Sequence, residues 1–297
     1  MRHPWTDDYP DKGTLKAEAL AMARVIGDAV LALAGAGQVR GLYFKGSARR
    51  EWQSLVDYVP EISDVDVHAW LVDDRQAARF TGDMAVGLAM QERIERAYAE
   101  AVPRPLHLPR PQLMFLNSLK QDPAYVPSPA DSVTVLYGEA YPTTGKPPPE
   151  ETARLDRERL LADVAVAARM AGHVMDRPGR YLWESIRAIS WRVAPTGPRL
   201  LTLAGWPPDG AWRLSRSEIV EALHGLDAYR SLAGDYAGFY LATWDYFLSG
   251  LQDTTSARRA VARAVNLLLA AGEIAQSAGP PPGPHPSTAA PPGAATR

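Results

Sequence analysis

The sequence predicts an α+β protein: a small mixed β-sheet with flanking helices over residues 1–145, an α-helical bundle over 146–278, and a disordered tail over 279–297. Three observations carry this. Two β-period apolar runs, "QVRGLYFKG" and "DVDVHAWLV", stand close together early in the chain. A proline-stacked stretch, "TTGKPPPEE" (Thr143–Glu151), can neither continue a helix nor pair as a strand, so it reads as a linker. Beyond it nearly every segment repeats its apolar residues at helical spacing.

The elements follow in order. Residues 1–13 read as an extended arm. Thr14–Gly35 is an amphipathic helix with Thr14 as candidate N-cap and Gly35 at its end. The two strands come next, joined by "EWQSLVDYVPE" and its aromatics. Asp73–Val102 is a long helical pattern that "PRPLHLPRP" stops. Gln112–Leu119 reads as a third strand and Asp131–Pro142 as a short fourth element. The second half holds four or five helices, with segments at 150–175, 179–194, 216–226, 234–250 and 254–278. The tail "GPPPGPHPSTAAPPGAATR" has too few bulky apolar residues to offset the entropy of ordering.

Composition excludes several classes. With 297 residues and 46% hydrophobic content, the chain can bury a core of two domains. There is no cysteine, hence no disulfide, zinc-thiolate site or thiol nucleophile. The net charge of −2 asks for neither nucleic acid nor an anionic membrane as partner. The start, "MRHPWTDDYPDKG", has no apolar signal core, and no apolar stretch is long enough to span a bilayer, so a cytoplasmic location is expected. "GxxxxGK" is absent, and "LAGAGQVRG" precedes a strand where a dinucleotide fingerprint would follow one.

Gly46-Ser47 ends the first strand. Asp64 and Asp66 stand two apart on the second, so they share a face. Adjacent carboxylates repel unless a cation lies between them. Mg²⁺ prefers oxygen ligands and bridges phosphates. A glycine lets backbone approach a phosphate, and a serine hydroxyl and nearby N–H groups donate to it. Lys45, Arg49 and Arg50 add positive charge next to this turn.

This strand–Gly-Ser–loop–strand–Asp-x-Asp arrangement, with "KGSARR", "ISDVDVH" and "TVLYGE", resembles the DNA polymerase β-like nucleotidyltransferase superfamily over roughly residues 38–140. It is most similar to the aminoglycoside and small-molecule adenylyltransferases. The resemblance implies an Mg²⁺-dependent enzyme that moves a nucleoside monophosphate, AMP from ATP, to a hydroxyl of a small-molecule acceptor. Asp64 and Asp66 would be the catalytic metal ligands, and Gly46, Ser47, Lys45 and Arg49 would hold the nucleotide. Ligand would lie between the two halves.

Two departures stand out. The Ser47–Asp64 loop is longer than the family's, and its aromatics would cover the site or contact substrate. The family's third-strand acid is missing: "QLMFLNSL" offers only Gln112, Asn117 and Ser118. A base would have to come from Asp122, Glu139 or Glu184. The alternative is a nucleotide-binding or regulatory protein without transfer chemistry, as in a toxin–antitoxin-like pair. A role in modifying protein or RNA is a third option, and the lack of a basic stripe argues against RNA. His68 reads either as an extra phosphate or metal contact or as a structural polar residue. The aromatics of the helical half read either as bundle core or as a stacking surface for a base or sugar.

Overall fold

The computed structural model describes residues 11–278; the expected tail and most of the N-terminal arm lie outside them. Helix α1 spans Lys12–Ala34. Its cap is Asp11, whose side chain accepts from the Gly13 N–H at 3.0 Å, whereas Thr14, the expected cap, donates its hydroxyl to that same aspartate. Strands β1 (Val39–Lys45), β2 (Asp64–Leu71), β3 (Arg110–Phe115) and β4 (Thr134–Gly138) form one sheet in the order β3-β2-β1-β4. β1 runs antiparallel to both β2 and β4, and β2 parallel to β3. The fold is therefore α+β with a small mixed sheet and flanking helices.

The helical pattern at 73–102 divides into α2 (Asp74–Gly82) and α3 (Met84–Ala101). Asp83 makes the break: its side chain accepts from the Ala85 and Val86 N–H groups and so starts a new helix directly after Gly82. The third strand ends at Phe115, earlier than expected, and Leu116–Leu119 turn into a short helix, α4. The Asn117 amide fixes that turn: its oxygen accepts from Leu71 N–H and its nitrogen donates to Leu71 C=O, at 2.9 and 3.0 Å.

In the second half lie α5 (Pro149–Met175), α6 (Leu182–Leu203), α7 (Pro208–Arg213), α8 (Arg216–His224), α9 (Arg230–Leu248) and α10 (Thr254–Ser277). The last linker proline, Pro149, starts α5 rather than preceding it, since a first-turn proline forfeits no intrahelical bond. The pattern expected to stop at Ala194 continues through Pro195 and Pro198 to Leu203. Proline 198 removes the donor for the Ala194 carbonyl, and the Tyr236 hydroxyl replaces it at 3.2 Å. α10 packs on α5, α6 and α9, and α8 packs on α9.

The long β1–β2 loop joins sheet to bundle. Trp52 and Tyr58 stack with ring centroids 4.3 Å apart and are buried. They are core, not a cover over the site. With His107 donating Nδ1–H to Glu18, its Nε2 accepts from the Tyr58 hydroxyl at 2.8 Å. Trp244 of α9 donates its indole N–H to the Leu55 and Tyr58 carbonyls. Asp57, 2% exposed, accepts from Gln53 and Ser54 N–H of its own loop and from Ser217 N–H and Oγ–H of α8. One continuous apolar core runs from Leu15 in α1 to Ala275 in α10. Removing Asp57 leaves four donors from two halves of the chain without their acceptor, three of them on buried residues. Asp57→Ala is expected to lower unfolding free energy by about 3 kcal/mol in urea denaturation; a loss below ~0.5 kcal/mol would show that the seam is held by packing alone.

Candidate active site

The strand ends at the top of β1 and the start of β2 bring the paired acids to the glycine turn. Lys45 lies opposite Asp66 in the antiparallel register, and the chain then turns at Gly46 with φ +80°. A Cβ on Gly46 would lie 1.9 Å from Asp66 Oδ2. Glycine is required there twice over, by backbone conformation and by space. Gly46, Ser47, Lys45, Asp64 and Asp66 all line one cavity of about 390 Å³ between the sheet and the helical half.

The acids are electrostatically uncomfortable. Burial, and then the charge of Asp66, pushes the Asp64 carboxyl up to about 6 against the pull of Arg110, Arg187 and Arg216. Asp66 is also raised by burial, with Lys45 the largest opposing charge. Arg110 Nε lies 3.0 Å from Asp64 Oδ1, yet that buried oxygen accepts no well-aligned hydrogen bond. A buried, poorly satisfied carboxylate oxygen beside a second carboxylate fits a divalent cation, with Arg110 as its competitor.

The third strand presents different chemistry from an acid. Parallel pairing sets Arg110 level with Asp64 and Gln112 level with Asp66. Gln112 lines the cavity and occupies the place where a third carboxylate would stand. Asn117, weighed as its substitute, is committed to Leu71 and Asp74 at the far end of β2. None of the expected outside bases reaches the cavity wall. Asp122 accepts from Ala124 N–H in its own turn, Glu139 is exposed, and Glu184 is exposed and paired with Arg177 at 3.2 Å. Of the two other acids in the wall, Asp57 is consumed by its four donors and Asp209 is paired with Lys146. Among the described residues no group of three or more His, Asp or Glu side chains is placed to hold a metal.

Two further assignments change. Arg49 turns away from the cavity and donates to Thr134 Oγ1 and the Asp131 carbonyl. His68 is buried beside Tyr141, and burial holds it well below the ordinary histidine range, so it is a neutral core residue. The aromatics divide: Phe239, Trp244, Tyr236 and Tyr240 are core, the two tyrosines where the core borders the cavity, while Trp191 and Trp212 are the accessible aromatics of its helical wall. Sequence reasoning missed Arg216. It begins α8 and donates to Ser63 Oγ at 2.9 Å and Ser47 Oγ at 3.3 Å. The capping box Ser215–Glu218 marks where α8 starts, but no local signal marks a contact 169 residues away.

Compared with protein-family models, with curated proteins and with solved structures, the chain matches none. Among the described residues no helix is long and apolar enough to cross a membrane.

The raised Asp64 has a pH consequence with a definite sign. Unfolded, it ionises near the ordinary 3.8; folded, near 6. The metal-free fold therefore loses stability as pH rises from about 4 to 6, and the loss levels off above that. Asp64→Asn is expected to abolish this loss, gaining on the order of 1–3 kcal/mol over wild type at pH 7 and nothing at pH 4; equal gains at both pH values would contradict it. Gly46→Ala is expected to cost roughly 1–3 kcal/mol from backbone strain and displacement of Asp66, read as the midpoint shift in the same titration; an unchanged midpoint would mean the turn relaxes freely.

Proposed function

We propose that the cavity binds a Mg²⁺-chelated nucleoside triphosphate, and that the protein is a nucleotidyltransferase moving a nucleoside monophosphate, AMP from ATP, to a hydroxyl of a small acceptor. One observation carries this: the positive-φ glycine of the β1 turn packs against the second of two raised, half-buried carboxylates. A phosphate-approach turn and a cation site are thereby held in one geometry. The strand arrangement supports it, because β2 carries both acids between antiparallel β1 and parallel β3.

Asp64 and Asp66 would hold the cation, and a Mg²⁺ ion there would supply charge neutralisation for the polyphosphate. Gly46 leaves room for a phosphate, and Ser47 donates its hydroxyl once its lone pairs are shared with Arg216. Lys45, opposite Asp66, adds positive charge at the same level. The Trp191 and Trp212 faces of α6 and α7 give the nucleoside or acceptor an apolar wall.

A second reading, nucleotide binding without transfer, is favoured by the third strand. Arg110 and Gln112 stand where an acid would accept the acceptor proton, and neither can take it. One experiment addresses both readings. The protein is incubated with Mg²⁺ and labelled ATP, CTP, GTP or UTP against a panel of hydroxyl acceptors and itself, with pyrophosphate release as readout and calorimetry for binding. Wild type is expected to bind Mg·ATP, and Asp64→Ala and Asp66→Ala to lose binding with circular dichroism unchanged. Wild-type affinity in both variants would overturn the assignment. Binding without pyrophosphate release, with release gained in Gln112→Glu, would select the second reading and identify the position of the acid.

A further inference from the structure

We infer that Arg50 and Arg216 form a metal-independent anion site for a diphosphate group, one arginine from each side of the seam. Both line the cavity beside the Gly46–Ser47 turn. Arg50 comes from the β1–β2 loop and donates to the Trp212 and Leu214 carbonyls; Arg216 comes from the first turn of α8, two residues on, and donates to Val56 C=O and the Ser63 and Ser47 hydroxyls. Every one of these acceptors is a neutral oxygen. Among the described residues neither guanidinium makes an ion pair. Of the acids whose charge reaches the two arginines, Glu218 is occupied in capping Ser215, and Asp64 and Asp66 line the same cavity without an ion pair to either. The Arg216 guanidinium also lies over the Tyr240 ring, 4.2 Å from its centroid, which fixes its plane.

Two guanidiniums held in one cleft by neutral acceptors are an unusual arrangement, because like charges brought together in a partly desolvated space repel. Arg50 feels this directly, being held below its ordinary range by burial and by its neighbours Arg216 and Arg49. The charges of Asp64 and Asp66 offset part of this repulsion, and an anion between the two arginines would remove the rest. Guanidinium forks match phosphate oxygens in pairs, and two forks suit a ligand with two phosphate groups better than one. Such an anion would also tie the loop to α8. Identifying the ligand as the terminal phosphates of the nucleotide, and hence as the leaving pyrophosphate, rests on the reading above; the anion site itself does not.

The probe is inorganic pyrophosphate in the presence of EDTA, with full-length protein, calorimetry for affinity and thermal melting for stability. Wild type is expected to bind and to melt at higher temperature as pyrophosphate is added. Arg50→Gln and Arg216→Gln are each expected to weaken binding about tenfold or more, and Arg216→Lys to retain part of it. Asp64→Asn is expected to bind pyrophosphate at least as well as wild type, since it removes a negative charge from the cavity. If Arg216→Gln does not fold, Arg50→Gln and Arg216→Lys decide. No melting shift and no heat with wild type, or unchanged affinity in both arginine variants, would overturn the inference even where Mg·ATP binds. Pyrophosphate binding that depends on the arginines, in a protein that fails to bind Mg·ATP, would uphold the anion site and remove the nucleotide reading.

Discussion

The side chain of Asp57 fixes the geometry on which the cleft depends. It is buried, and its two oxygens are shared between two N–H groups of its own loop and the N–H and hydroxyl of Ser217. Buried acceptors of this kind tolerate little displacement, because each lost partner costs the desolvation of a polar group. The loop that carries Asp57 begins at the Gly46–Ser47 turn and ends at Asp64. Holding its middle against α8 therefore sets where both of its ends stand relative to the helical wall. The stacked Trp52–Tyr58 pair and the Trp244 indole then fill the space around that polar anchor.

What the anchor assembles is a cleft of opposed charges kept slightly apart. Asp64 and Asp66 lie on the sheet side, and Arg50 and Arg216 beside the turn, with one Asp64 oxygen left poorly satisfied and both arginines held by neutral oxygens. A sequence selected for stability alone would collapse such groups into ion pairs or replace them with apolar residues. Unspent electrostatic potential in a cavity is a common property of ligand sites. A cation on one side and an anion on the other would discharge it, and a metal-chelated polyphosphate carries both.

Much of this was legible in the sequence where short-range rules govern. The strand pair, the glycine-serine turn, the Asp-x-Asp face and the helical second half all follow from period and punctuation. Errors arose where a tertiary contact, or a stronger local signal, outvoted the signal read. The α6 pattern expected to stop at Ala194 runs on past Pro195 and Pro198, and Tyr236 from another helix supplies the donor that Pro198 lacks. One long helix became two because Asp83 caps more strongly than the flanking periodicity predicts. Arg49 and Arg50 are indistinguishable as neighbours in sequence, yet the turn sends one to β4 and the other into the cleft. Arg216 is unreadable from its surroundings, since its meaning lies in a contact with Ser47 that only the closed seam creates.

The third strand shows how register, and not composition, decides a site. Counting polar residues in "QLMFLNSL" makes Asn117 and Gln112 equivalent candidates. Pairing removes the equivalence: β3 runs parallel to β2 with Gln112 level with Asp66, while Asn117 lies past the strand's end, where its amide closes the α4 turn. A single-residue slip would turn Gln112 to the opposite face, so its presence in the cavity wall is a property of the whole sheet. The same pairing sets Arg110 against Asp64, where it serves as the carboxylate's built-in counter-ion. A cation entering the proposed site would compete with an arginine already there, so the affinity of the cleft for metal would be set on β3 as much as on the strand that carries the acids.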